Sequence, residues 1–201
     1  MHVDGAFGIW AKAAPARAEL AAGYEAADSL AVDGHKWLNV PYDSGVTLVR
    51  EPDHLRAAMS ISAAYLPDAA VREPYDYTPE CSRRMRATEI WAVLASLGQA
   101  GLADLIETCC RQASMLAEGL AGAGYAVLNE VRLNQVMVSF GDDERTARVI
   151  EGLQADGTAW CGGTHWHGRA AMRISFSSHA TTDADVAKTL AAILRVARSN
   201  R

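Results

Sequence analysis

No Cys-x-x-Cys pair occurs among the four cysteines of this sequence, Cys81, Cys109, Cys110 and Cys161. Two of them are adjacent, so the spacing builds neither a disulfide framework nor a zinc knuckle. Reduced thiols in a cytoplasmic protein are the simplest reading. No uninterrupted apolar run reaches the roughly 18 residues of a membrane helix. Asp4 interrupts the N-terminus and no basic segment precedes an apolar one, so no secretory leader is expected. Positive charge is also scarce: 19 Lys and Arg stand against 24 Asp and Glu, a formal net charge of −5. That balance gives no electrostatic reason to bind nucleic acid or an anionic membrane. Arg83, Arg84 and Arg86 form a local run rather than a basic face. Internal repeats and low-complexity segments are missing too. Gly5-Ala6-Phe7-Gly8 lacks the G-x-G-x-x-G spacing of a dinucleotide loop.

What is there has an ordinary soluble composition, 50% hydrophobic and 21% charged over 201 residues. That length holds one good core or two small ones. Residues 1–9 read as a short strand breaking into a glycine turn, and the alanine-rich stretch 10–23 reads as a helix ending at Gly23. Ser29 to Val32 is a short apolar strand stopped by the turn signal Asp33-Gly34, and Val46 to Val49 is a β-branched strand. Short strands beside a helix suggest a sheet buried on both faces, as in α/β proteins. Four prolines break residues 51–82, which read as irregular. Long helical patterns follow over 84–123, split by Gly98 and Gly101. Next come strands within 124–140, a helix over 144–156, a strand over 172–176 and a helix over 182–198 capped by Thr182. This second part is an α+β unit with its own core. The boundary is placed near residue 88, giving units 1–88 and 89–201.

Two short segments carry the chemistry. Asp33-Gly34-His35-Lys36-Trp37 sets a lysine just past a strand end between a histidine and a tryptophan. A semi-buried, aromatic-lined amine suits carbonyl chemistry; a solvated lysine in a turn is the ordinary alternative. His2-Val3-Asp4-Gly5 ends a strand on a carboxylate, where α/β enzymes place ligands; a turn-capping aspartate is the ordinary alternative there. Taken together the two segments say more. Asp4 and Lys36 each end a short strand, 32 residues apart, with a helix between them. In a parallel sheet both would emerge at one edge. A carboxylate for a pyridine nitrogen and a lysine for an imine are what pyridoxal phosphate requires. His165-Trp166-His167 looks like a metal pair. No third ligand has sensible spacing and the surrounding glycines suggest a loop, so no metal is assigned.

His2-Val3-Asp4-Gly5-Ala6-Phe7-Gly8, Asp28-Ser29 and Asp33-Gly34-His35-Lys36-Trp37-Leu38 together resemble the group II pyridoxal-phosphate decarboxylases, which include the aromatic amino acid, glutamate and tyrosine decarboxylases. The resemblance covers essentially the whole chain. It implies an α/β fold: the C-terminal part of the type I, aspartate aminotransferase-like fold. A partial large-domain sheet is then followed by an α+β small domain. It implies pyridoxal 5'-phosphate as cofactor and decarboxylation of an L-amino acid. By this match Asp4 partners the pyridine nitrogen and Ala6 lies against the ring. Lys36 is the Schiff-base lysine, and His35 lies near the phosphate and the reacting carbon. Asp33 falls where some members have an asparagine near the phosphate, and an acid there would repel it. Tyr65 matches a loop tyrosine that protonates the carbanion in the neighbouring subunit of a homodimer, with Tyr75 and Tyr77 as rivals. Arg173 matches an arginine that binds the substrate carboxylate; a structural ion pair is its alternative. Family members are roughly twice as long, and the part not represented carries the phosphate loop and a histidine that stacks on the ring. An incomplete, truncated or split enzyme is therefore expected. An aminotransferase on the same fold and a non-catalytic remnant are the alternatives.

Overall fold

The computed structural model describes residues 1–61, 63 and 71–200. The chain divides into two compact units, Met1–Lys12 with Ala18–Leu97, and Ala13–Arg17 with Gly98–Arg201.

In the first unit β1 (His2–Asp4), β2 (Ser29–Asp33) and β3 (Gly45–Val49) form one sheet in the order β1-β2-β3. β1 runs parallel to β2 with Asp4 opposite Ala31, and β3 runs antiparallel to β2 with Gly45 opposite Asp33. The connection between the parallel strands is not the α-helix expected over 10–23. It consists of three 3-10 segments, Gly8–Ala13, Pro15–Ala21 and Tyr24–Ala26. Pro15 is the reason: it brings no N–H and pushes the residue before it off helical geometry, so the alanine-rich run breaks at that point. The turn expected at Asp33-Gly34 opens a single helical turn, α1 (Gly34–Trp37). α2 (Pro52–Met59) lies in the stretch expected to be irregular. Pro52 starts this helix rather than breaking it, because the first-turn N–H groups have no partner inside a helix anyway. Burial of both sheet faces is not met among the described residues. Leu30 and Val32 of β2 are buried, but β1 and β3 have no buried residue. β1 ends the sheet, and short helical pieces cover too little of either face.

α3 (Ala87–Gly122) runs through the unit boundary and breaks at Gly98, whose φ of 60° and ψ of −173° leave helical geometry. Gly101 stays helical. By length and composition α3 is apolar enough to cross a bilayer, a feature the search for an uninterrupted run passed over. Its first piece, Ala87–Leu97, is about half the roughly 20 residues of a span. Its second piece carries Asp104, Glu107 and Arg111 and buries Leu102, Ile106, Leu116 and Leu120.

The second unit holds an antiparallel sheet, β4-β5-β7-β6, made of β4 (Ala126–Val127), β5 (Gln135–Ser139), β6 (Gly162–Trp166) and β7 (Arg169–Ser175). α4 (Asp143–Asp156) packs on β7 and on α5 (Asp183–Ser199). Phe140, Leu153, Met172 and Ile193 are fully buried in this core. Both helices are capped as their sequences suggest. Asp142 accepts the Arg145 N–H at 2.7 Å, and Thr182 and Asp185 exchange the two bonds of a capping box. The stretch His165-Trp166-His167 is not the expected loop. His165 pairs with Ala170 and Trp166 with Arg169, and His167 (φ 48°) and Gly168 (φ 78°) make the tight turn between β6 and β7. Two consecutive positive φ angles suit a two-residue hairpin. Gly162 and Gly163 sit inside the strand instead of ending it.

Candidate active site

The parallel pair β1–β2 brings two segments out at one end. Gly5 N–H extends the ladder to the Ala31 carbonyl at 2.8 Å, and Asp33 N–H reaches the Ala6 carbonyl at 3.4 Å. Asp4 closes β1, and its Oδ1 accepts the Ala6 N–H at 3.1 Å, a local turn of the kind aspartate favours. Lys36 follows three residues after the end of β2, inside α1. Asp4 and Lys36 thus both leave the sheet at its C-terminal end, where α/β proteins place ligands.

α1 is fixed by its neighbours. Trp37 is buried and meets Phe7 edge-on, with ring centroids 5.8 Å apart. A methyl at Gly34 would come within 3.2 Å of Ile90 and Val40, so the turn lies close against both. Trp10 Nε1 donates to the Asp33 carbonyl at 3.3 Å. On this base Lys36 Nζ lies 2.6 Å from Asp33 Oδ2 and 5.4 Å from the centroid of the Phe7 ring. The second distance is within cation–π range.

His35 is oriented by Ser44. Its Nδ1 lies 3.0 Å from the Ser44 nitrogen and 2.7 Å from the Ser44 oxygen. That oxygen already accepts the N–H groups of Gly34 at 2.9 Å and His35 at 3.1 Å. Nδ1 thus faces both backbone groups of Ser44, donating to the oxygen in one tautomer and accepting from the N–H in the other. Nε2 is 3.9 Å from Asp33 Oδ2. Tyr42 stacks on the same imidazole at 4.0 Å, tilted by 45°. Beside His35 and Ser44 a cleft of about 320 Å³ sets Arg83 and Arg86 against Asp33, Asp43 and Glu80. Both guanidiniums are paired, Arg86 to Asp43 at 2.9 Å and Arg83 to Glu80 at 3.5 Å. The Arg86 hydrogen bond holds the Asp43 carboxyl below its usual range.

This arrangement has known relatives. Residues 1–140 match the pyridoxal-dependent decarboxylase conserved domain. The chain belongs to the pyridoxal-dependent decarboxylase family. It is 29% identical over 203 residues to histidine decarboxylase of Drosophila melanogaster, covering 98% of this chain and 24% of that protein. It is 32% identical over 145 residues to tyrosine decarboxylase 1 of Narcissus pseudonarcissus, covering 70% of this chain and 28% of that one. The fold superposes on Oryza sativa TDC with PLP and tryptamine at a TM-score of 0.93 and 22% identity, over 98% of this chain and 44% of that one. The chain therefore spans about a quarter of the length of these curated decarboxylases and under half of that structure. Its fold is part of the type I fold of the pyridoxal-phosphate decarboxylases.

Among the residues singled out from the family motif, Asp4, Ala6, His35 and Lys36 gather at the ends of β1 and β2. Arg173 stands on β7 in the second unit, opposite Met137 and Gly162, and is exposed. Tyr65 lies outside the described residues. Tyr75 and Tyr77 lie in the 3-10 turn Pro74–Tyr77. Burial, then the charges of Asp76 and Glu73, push the Tyr75 phenol up, and the Arg72 guanidinium lies 4.3 Å from the centroid of the Tyr77 ring. The Phe7 and Tyr42 rings and the Ser44 backbone carry no signal in the sequence as site-forming groups. Phe7 was visible only as a letter within the motif, and nothing in residues 41–44 signals that they fold back onto His35. The residues present fit the ring end of pyridoxal phosphate: an amine, a carboxylate and an aromatic side chain share one sheet end. Among the described residues that line the cleft, two guanidiniums stand against three carboxylates.

Proposed function

We propose that this chain supplies the lysine-bearing part of a pyridoxal-phosphate-dependent carboxy-lyase, and that its substrate is an L-amino acid with an aromatic side chain. The observation that carries the reading is the parallel pairing of β1 and β2, from which Asp4 and Lys36 depart at the same end. Pyridoxal phosphate, when bound, supplies a protonated ring that accepts the electron pair left by departing CO2. Lys36 would hold the cofactor through Nζ. Asp4 keeps the proton on the pyridine nitrogen, and the small Ala6 side chain lies against the ring. His35 returns a proton at the reacting carbon, with the Tyr65 phenol of a neighbouring subunit as the rival donor in a homodimer. On this reading residues 1–88 complete a large cofactor domain and 89–201 form the small one. The names of the histidine and tyrosine decarboxylases support an aromatic substrate.

The test is direct. The chain is mixed with pyridoxal phosphate, scanned for a band at about 420 nm, reduced with borohydride and mapped by peptide mass. The expected outcome is a tag on Lys36 and loss of the band in Lys36→Ala. Equal tagging of Lys12, Lys36 and Lys188 with no band would remove the reading. Incubation with L-tyrosine, L-histidine and L-tryptophan then separates the chemistries: an amine marks a carboxy-lyase and an oxo acid an aminotransferase.

A further inference from the structure

The scheme above leaves one close contact without a role, the carboxylate of Asp33 against the amine of Lys36. The chain has three lysines, and each faces a carboxylate. Lys12 lies 3.2 Å from Glu25, Lys188 lies 3.8 Å from Asp185, and Lys36 lies 2.6 Å from Asp33. Lys36 is also the least exposed of the three, at 35% against 41% and 72%. Asp33 is pinned by its backbone on both sides, its N–H on the Ala6 carbonyl and its own carbonyl under the Trp10 indole. Its carboxylate is therefore held where Lys36 can meet it within one helical turn. The same carboxylate lines the cleft whose cations are already matched.

We propose that Asp33 is a positioning residue that gates Lys36. It holds the amine in an ion pair that must open before the amine captures a carbonyl, and its charge disfavours a carbonyl compound that carries a phosphate. The proposal rests on the reading that Lys36 holds the cofactor. In the capture step the ammonium gives a proton to solvent and the freed lone pair bonds to the carbonyl carbon. The carbonyl oxygen leaves as water and a C=N bond takes its place. Nothing is oxidised or reduced. Holding the ammonium against Asp33 keeps that lone pair out of use. A half-exposed pair of this kind slows capture by about two- to fivefold. A carboxylate facing an incoming phosphate adds repulsion in the same direction.

The experiment uses the full chain as wild type, Asp33→Asn, which keeps the shape, and Asp33→Glu, which keeps the charge. Each is treated with formaldehyde, pyridoxal or pyridoxal phosphate, and the imine is trapped with cyanoborohydride. Peptide mass spectrometry gives the Lys36 label relative to Lys12 and Lys188 in the same molecules. Asp33→Asn is expected to raise that ratio about two- to fivefold with formaldehyde and pyridoxal, and further with pyridoxal phosphate. Asp33→Glu is expected to keep the wild-type ratio. An unchanged or lower ratio in Asp33→Asn overturns the proposal, and so does an equal rise in Asp33→Glu. Equal rises with pyridoxal and its phosphate overturn the charge-selection half. Unfolding would also raise the Lys36 ratio, because Lys36 is the least exposed of the three, so the far-UV circular dichroism of each variant is compared with wild type, and a rise that comes only with a lost signal overturns the proposal. Failure of the underlying reading looks different: Lys36 would take pyridoxal phosphate no faster than Lys12 in every variant, while the formaldehyde arm still decides whether Asp33 gates the amine.

Discussion

The first unit buries Leu30, Val32, Trp37, Leu38 and Val40 but leaves Leu48, Met85 and Trp91 exposed, whereas the second buries apolar side chains from α3, α4, α5, β5 and β7 around one centre. The candidate site lies in the less enclosed of the two. Its residues are held by short-range devices: the Asp4 turn, the Trp37 anchor, the Ser44 bonds to His35 and the Asp33–Lys36 pair. The second unit carries the larger core and only one of the singled-out residues, Arg173. Stability and chemistry are thus weighted toward different parts of this chain. A cluster of side chains can be oriented by local contacts without a deep core beneath it, but an exposed sheet edge and apolar surface remain beside it.

That contrast can be broken by mutation. Leu153→Ala in the second core is expected to cost about 2–5 kcal/mol, against at most about 0.5 kcal/mol for Leu48→Ala in β3, where the leucine is 52% exposed. In a urea titration, thiol labelling reads the second unit and the fluorescence of the buried Trp37 reads the first. Cys109, Cys110 and Cys161 are buried in the second unit, and burial pushes the Cys110 and Cys161 thiols up to about 11. Cys81, in the first unit, is exposed and labels throughout. Equal costs at Leu48 and Leu153 would erase the distinction between the units. A smaller effect, about 1 kcal/mol, is expected from Thr182→Ala, which removes the side-chain half of the α5 capping box. Earlier labelling of the same three thiols is the readout.

Acid has the smallest effect and acts on both units, since Glu25, Asp28 and Asp43 of the first are also held below their usual values. In the second unit Asp156, Asp183 and Asp185 are held below their usual 3.8 by hydrogen bonds, first of all from Thr158, Arg111 and Thr182 respectively. Their folded-state values lie below the unfolded ones. Their contribution is therefore complete above pH 3.8 and is lost as the pH falls through the lower, folded values. Asp156→Asn should flatten that acid slope slightly, by lowering stability a little at neutral pH, where the contribution is complete, and leaving it unchanged at low pH, where it is already lost. An unaltered slope would show that the Asp156 contacts do not bear on the folding of the second unit.

Much of the secondary structure was legible because its signals are local. Thr182 and Asp185 announce α5, Gly157 follows α4, and the apolar alternation around Val136 and Val138 marks β5. Where the sequence misled, one residue type had been given a single meaning. Pro52, a breaker by residue type, begins α2; Gly162 and Gly163, loop residues by type, lie in β6. The alanine-rich crossover failed the other way, since helix propensity could not outweigh Pro15.

For the site, the sequence by itself determined the chemical groups and the family: a carboxylate at Asp4, an amine at Lys36 and the histidine before it, all within a motif that a short stretch of chain can carry. Only the tertiary structure decided their company. The direction of β2 beside β1, the Phe7 ring near the Lys36 amine, Ser44 returning to hold the His35 ring, and Asp33 claiming Lys36 all depend on where the chain comes back to itself. Spacing along a sequence fixes which groups are available. Distances between segments arise from strand pairing and packing, which no single stretch encodes.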